Sequence, residues 1–317
     1  MALNNLIRKL EPLIYSMEDK EIISKYLELK SNLTYENLIY FHNFLKQRYE
    51  ILNNILKTLE VYLNSLDNKV EKFLEQKLDK LEKCFEVLHK TILKNLSELI
   101  DFIDTKSILF KREKILLNLK LELEHLKPFI IQKYNEIFLE EEIEKFLKNL
   151  ESIISKEIKE NILKEFKEGR KKFFEKFENI PLSIYDFFRS KLENVKILFI
   201  LNLLIFSLNL SLYLLYKTEN TLLLLLLLLQ FFIFFFFVLS ILLFKFFMKR
   251  NIENYVRKKL IRLKSEIADF YLKFFENLKI IIKEYLNNKK ENLDREKKKL
   301  QIVLETIENF LKSEKLK

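Results

Sequence analysis

ILFILNLLIFSLNLSLYLLYKTENTLLLLLLLLQFFIFFFFVLSILLFK, residues 197–245, decides how the rest of the chain is to be read. Ile197 to Tyr216 carries no charge, and its 20 residues at ~1.5 Å rise match the ~30 Å hydrocarbon core of a bilayer. Lys217, Thr218, Glu219 and Asn220 interrupt it. Thr221 then leads through Leu222 to Leu229 and Gln230 into a phenylalanine-rich run ending at Phe244 and Lys245. Two spans, about 197–216 and 221–245, with so short a connector are expected to be antiparallel neighbours. An even number of crossings puts both flanks of the chain on one side.

Polar residues inside such spans need partners, because hydrocarbon supplies none. Asn202, Ser207, Asn209, Ser211 and Gln230 are the candidates. Measured from the connector, Asn209 and Gln230 lie at nearly the same depth, so a hydrogen bond between them is expected. That bond serves as glue between helices, worth ~0.6–2 kcal/mol. A conduction path normally needs charge, helix breaks or small residues, and 197–216 and 221–244 contain no Gly, no Pro and no charge.

Outside this segment the chain is rich in Leu, Lys, Glu and Ile. It holds one glycine, Gly169, and three prolines, Pro12, Pro128 and Pro181. Sheet-rich folds draw on both residue types for turns, so the expected class is all-α: long helices forming a bundle or coiled coil, interrupted by a two-helix transmembrane hairpin. Three regions follow: a helical 1–191, the hairpin 192–248 and a basic arm 249–317. Helix breaks are expected near Asp67 and Asn68, near Asp104 to Ser107, at Pro128, at Gly169 and at Pro181. Ser16 with Asp19, and Ser183 with Asp186, have the spacing of capping boxes.

Leu78, Leu81, Phe85, Leu88, Ile92, Leu96, Leu99 and Ile103 step by three and four, which makes one apolar seam. Val256, Leu260, Leu263, Ile267, Phe270, Phe274, Leu278, Ile281 and Tyr285 form another in the arm. A single helix cannot shelter its own seam, so these stripes are expected to pack on each other, on a second copy or on a helical partner. The charged stretch Asn287 to Lys299 reads either as a break or as a solvated helix face, and the second reading is preferred.

The formal charge is +10, and its location matters more than its size. Residues 249–317 hold 19 Lys/Arg against 11 Asp/Glu, residues 196–248 hold three against one, and the remainder balances. Lys249, Arg250, Arg257, Lys258, Lys259, Arg262 and Lys264 therefore form a basic cluster just past the second span. The positive-inside rule places both termini in the cytoplasm or its topological equivalent. Contact with anionic headgroups is expected from the same residues, beside the plainer role of fixing orientation. Nucleic acid is not an expected partner.

Chemistry is mostly excluded. With one glycine, neither a phosphate-cradling loop nor a nucleophile elbow can be built. Cys84 has no second cysteine for a disulfide and no histidine in register, so it reads as a packed thiol. The opening MALNNLIRKL is too short an apolar run for a secretory signal. Glu86 with His89, and Glu122 with His125, match the Glu-x-x-His spacing of di-iron bundles. A turn near Asp104 to Ser107 would bring the two pairs level. Frequent glutamate makes such pairs common by coincidence, and no metal or other cofactor is expected.

The functional expectation is a non-enzymatic membrane scaffold or tether whose arms pair with a copy or a helical partner and which shapes the bilayer. In layout the chain is also similar to α-helical pore-forming toxins, with a greasy hairpin between bundle helices. It resembles, too, the stalk and tip of dynamin-related proteins, without their GTPase domain and its glycine motifs. Both resemblances concern shape alone and carry no residue roles.

Overall fold

A computed structural model describes residues 2–103, 111–150, 154–216 and 221–315. Every regular element among them is an α-helix: α1 (Ala2–Tyr15), α2 (Lys20–Ser31), α3 (Tyr35–Phe102), α4 (Arg112–Ile137), α5 (Glu140–Lys148), α6 (Lys156–Glu178), α7 (Ile180–Tyr216), α8 (Thr221–Leu242) and α9 (Phe244–Lys315). The protein is all-α.

Side-chain caps start several of these helices. Asp19 accepts from the backbone N–H groups of Glu21 and Ile22 at 2.9 and 3.4 Å and opens α2. Thr34 does the same for α3 through Asn37 N–H, and Ser155 for α6 through Ile158 N–H. The expected boxes differ in detail. Ser16 donates backwards to the Leu13 carbonyl at the end of α1. Ser183 lies inside α7 and donates to the Ile180 carbonyl, because that helix begins before it, with Pro181 in its first turn where a missing N–H costs nothing.

Three expected breaks do not occur. Asp67 and Asn68 lie within the unbroken α3, where Asp67 meets Lys279 and Lys283 at 2.9 and 2.8 Å. Pro128 lies within α4, which tolerates the loss of one ladder bond amid a buried stripe. Gly169 lies within α6 because Phe270 presses against its backbone, where a Cβ would collide with the ring. A boundary does fall beside Pro181, at Asn179 between α6 and α7. α3 ends at Phe102, and the turn expected near Asp104 to Ser107 lies outside the described residues. α9 runs through Asn287 to Lys299 without interruption, as a solvated face allows.

The compact units do not follow chain order. Unit 1 comprises Met1–Phe73, Phe146–Glu160 and Phe274–Lys317; unit 2 comprises Leu74–Lys145 and Asn161–Lys273. In unit 1, Leu6, Leu10, Ile14, Tyr26, Leu38 and Phe41 pack with Leu300, Val303 and Ile307. Tyr26 is buried and donates to the Ile7 carbonyl at 2.9 Å, and burial pushes its hydroxyl up to about 12. In unit 2, Phe138 stacks on Phe173 and Tyr271, with ring centroids 5.4 and 5.8 Å apart. The buried Tyr271 hydroxyl donates to the Ile137 carbonyl at 2.6 Å, so that core helix end keeps no orphaned acceptor there.

Both expected seams are largely buried, although on α3 Leu78 and Leu99 are half-buried and Lys77 and Ile100 take the covered places. On α3, Leu81, Phe85, Leu88, Ile92 and Leu96 are almost fully covered. On α9 the stripe runs Leu260, Leu263, Ile267, Tyr271, Phe274, Leu278, Ile282 and Leu286, so Tyr271, Ile282 and Leu286 take places expected for Phe270, Ile281 and Tyr285. The buried stripe takes slightly longer steps than the expected one, so it drifts a little around the helix surface.

Candidate functional site

α7 changes character at Ile197. Before it, Ile184, Phe188 and Leu192 are buried in unit 2; after it, Ile197, Leu198, Leu201, Leu204, Leu208 and Leu214 stand half or more exposed. α8 is similar, with Leu225, Leu228, Phe231, Phe232, Phe235 and Phe236 more than half exposed. Two neighbouring helices thus present apolar side chains around most of their surface, far more than the few hundred Å² that soluble monomers leave bare. By length and composition, the helical run Lys156–Leu212 contains one stretch able to cross a membrane. Leu224–Phe236 is a shorter apolar helix. Only 6% of that longer apolar window is buried, whereas the core helix of a globular fold is mostly covered. The expected second span of 221–245 is divided at Leu243, although Leu243 and Phe247 still donate helical bonds to Leu239 and Leu243.

α8 folds back along α7, with Phe206 stacked on Phe234 at a centroid distance of 6.0 Å. The buried Gln230 amide donates to the backbone carbonyl of Asn202 at 3.5 Å, a long bond. Its partner is therefore Asn202 and not the expected Asn209, two helical turns along the same face of α7. Equal distance from the connector sets depth only approximately, and side-chain reach decides which neighbour is met. Asn202, Ser207 and Ser211 satisfy themselves by donating to the carbonyls of Leu198, Leu204 and Ser207 at 2.8, 2.9 and 2.8 Å.

Three of the seven residues of the basic cluster are engaged by carboxylates. Lys249 meets Asp101 at 2.7 Å, Lys264 pairs with Glu82, and Arg262 pairs with Glu266 at 3.1 Å. Lys259 is half-buried, and burial pulls its ammonium below the usual lysine value while Asp186 opposes that. Arg250, Arg257 and Lys258 remain exposed with no carboxylate partner among the described residues. The spacing of 250, 257 and 258 along α9 carries the last two about two turns beyond Arg250, away from the apolar helices.

The Glu-x-x-His pairs are not assembled for metal. Glu86 is exposed and paired with Lys90 at 2.6 Å, which holds its carboxyl below the usual range. Glu122 and His125 are both exposed, and the His89 Nε2 is buried without a hydrogen bond. Among the described residues no group of three or more His, Cys, Asp or Glu could hold a metal ion. Glu122 instead lines a cleft of about 510 Å³ between α3 and α4, with Glu98, Leu99, Phe102 and Lys114. Cys84 is buried, its Sγ 3.7 Å from Glu136, and burial pushes the thiol up, away from reactivity.

Two features were invisible in sequence. Lys77 is buried on the α3 seam and forms an ion pair with Glu142, which Lys80 also reaches at 2.6 Å. Burial lowers the Lys77 pKa; burial also works against the charge on Glu142, yet the bonds from Lys77 and Lys80 hold that carboxyl below its usual range. His42 is buried in unit 1 with Nε2 3.3 Å from Glu308. No signal short of the packing itself marks one lysine or one histidine in so charged a chain.

The site thus defines a helical protein with a bare apolar helix pair. No family model matches the chain, and no curated protein or solved structure is similar to it at a significant level.

Proposed function

We propose that this chain is an integral membrane scaffold or tether. The apolar half of α7 together with α8, near 197–216 and 221–245, forms the transmembrane hairpin, and the helical arms lie on one side of the bilayer. The observation that carries this reading is the exposure of most of the described apolar side chains on the apolar half of α7 and on α8, which water penalises at about 25 cal/mol per Å². The same exposure favours a resident anchor over a pore-forming protein, since a stored hairpin would be covered. The excess of Lys and Arg after the hairpin supports a topology with both termini in the cytoplasm or its equivalent. The chain carries no nucleotide-cradling glycines, in keeping with a non-enzymatic role.

Both seams are consumed within the chain, so pairing with a copy or a helical partner rests on exposed surface and not on the seams themselves. Alkaline extraction of native membranes tests the anchor: the protein stays with the lipid, and release into the supernatant overturns the reading. Crosslinking of detergent-extracted protein tests the tether. A larger species or a co-purifying helical protein is expected, and a strict monomer alone removes the tethering role.

A further inference from the structure

We infer that the facing ends of α3 and α4 form a second, shallow membrane contact that docks on anionic lipid headgroups beside the hairpin. This rests on the hairpin being embedded. Two ties fix the level of these ends within unit 2. Asp101, in the last turn of α3, accepts from Lys249 at 2.7 Å, and its carbonyl accepts from Lys245 at 3.0 Å, so it sits where α9 leaves the apolar helices. Arg112, in the first turn of α4, meets Glu193 at 3.2 Å, one helical turn before the apolar half of α7 begins. Both ends therefore stand at the boundary between polar and apolar surface.

What they present there is amphipathic. Phe102 follows Asp101 and is 89% exposed, the barest large apolar side chain among the described residues. In water such a ring is a cost without return; at a bilayer surface a phenylalanine buries at the boundary between headgroups and acyl chains. Lys111 and Lys114 on α4 and Arg250 on α9 are exposed, with no carboxylate partner among the described residues. A bare ring that shares its cleft with Lys111 and Lys114 as well as with Glu98 and Glu122, with Arg250 next to the Asp101-bound Lys249 and none of these three cations in an ion pair among the described residues, matches an anionic headgroup layer over acyl chains. The headgroup contact thus falls on α3, α4 and the start of α9, while Arg257, Lys258, Arg262 and Lys264 lie farther along α9.

The chain has no tryptophan, so Phe102→Trp supplies a single reporter. The full chain is reconstituted in zwitterionic vesicles with and without an anionic lipid, using acyl chains brominated near the headgroup. Leu208→Trp, read with bromine at mid-chain, reports the hairpin. The expected result is blue-shifted Phe102→Trp emission that loses about half its intensity when anionic lipid is present, and loses that dependence when Lys111→Glu and Lys114→Glu are added. Quenching of Leu208→Trp with a water-like, unquenched Phe102→Trp overturns the second contact and leaves the anchor standing. Failure of both reporters sinks both readings. Equal quenching with and without anionic lipid overturns the role of the cations.

Discussion

α8 and α9 follow one another across Leu243, and both are rich in large apolar side chains, but they dispose of them differently. On α9 the buried apolar residues fall on one stripe, while Leu272, Ile280 and Ile302 stay exposed off it; on α8 the apolar side chains among the described residues are mostly bare, apart from those that meet α7, such as Phe234. On the membrane reading proposed above, side chains of one kind meet two solvents. Periodicity records which one: a 3.6-residue stripe is needed only where the opposite face must stay wet. Within α7 the change happens inside a single helix, at Ile197.

Replacing one phenylalanine on each helix gives the sharpest contrast. Phe274→Ala, in the buried stripe of α9, should cost about 3–5 kcal/mol in thermal or denaturant unfolding in detergent, whereas Phe235→Ala on α8 should move it by less than about 0.5 kcal/mol. Equal losses would erase the distinction between the helices.

Charge insertion inverts the order. Leu208→Arg in the bare half of α7 should raise the cost of membrane insertion by about 2.5–3.5 kcal/mol and shift the protein towards the extractable fraction. Leu272→Arg, on the exposed face of α9, should leave both fractionation and stability within about 0.5 kcal/mol of the parent.

The ion pair beneath the α3 seam offers a pH test. Glu142→Gln strands the Lys77 charge and should cost about 2–3 kcal/mol near neutral pH, toward the low end because Glu142 is 29% exposed. The Glu142 carboxyl is held below its usual value in the folded state, so its contribution is complete above the ordinary glutamate pKa near ~4.3 and is lost as pH falls through the lower folded value. The parent-to-variant gap in urea unfolding should therefore shrink between pH 6 and pH 3; a constant gap would assign the loss to shape alone.

The smallest effect belongs to Gln230. Its bond to the Asn202 carbonyl is 3.5 Å long, and Gln230→Leu should cost about 0.6 kcal/mol or less in a hairpin unfolding assay. A loss above about 2 kcal/mol would mean the amide holds α7 and α8 together more firmly than its geometry suggests.

Fold class was plain from the scarcity of Gly and Pro, and the α3 seam was readable to within a residue because its stripe is short and steady. The α9 stripe was off by one residue at Phe270, Ile281 and Tyr285 and right between them at Phe274 and Leu278, because the next residue at each miss is also apolar and packing chooses between the two. Pro128 and Gly169 were misread as breaks for a different reason: both residues are tolerated when tertiary packing holds the helix, and Gly169 is needed there by the Phe270 ring. The basic run after the hairpin was visible, but its compensation by Asp101 and Glu82 was not, since those carboxylates lie far away in the chain and become neighbours only through folding. Gln230 was correctly singled out, and its partner was not, because two asparagines share one face of α7.

The core of unit 1 joins Leu38 and Phe41 to Leu300, Val303 and Ile307. During synthesis the first set leaves the ribosome roughly 260 residues ahead of the second, a delay on the order of tens of seconds at ordinary elongation rates. For that interval α1, α2 and the start of α3 have only each other to pack against, and the face that later meets Leu300, Val303 and Ile307 stays uncovered until α9 is complete.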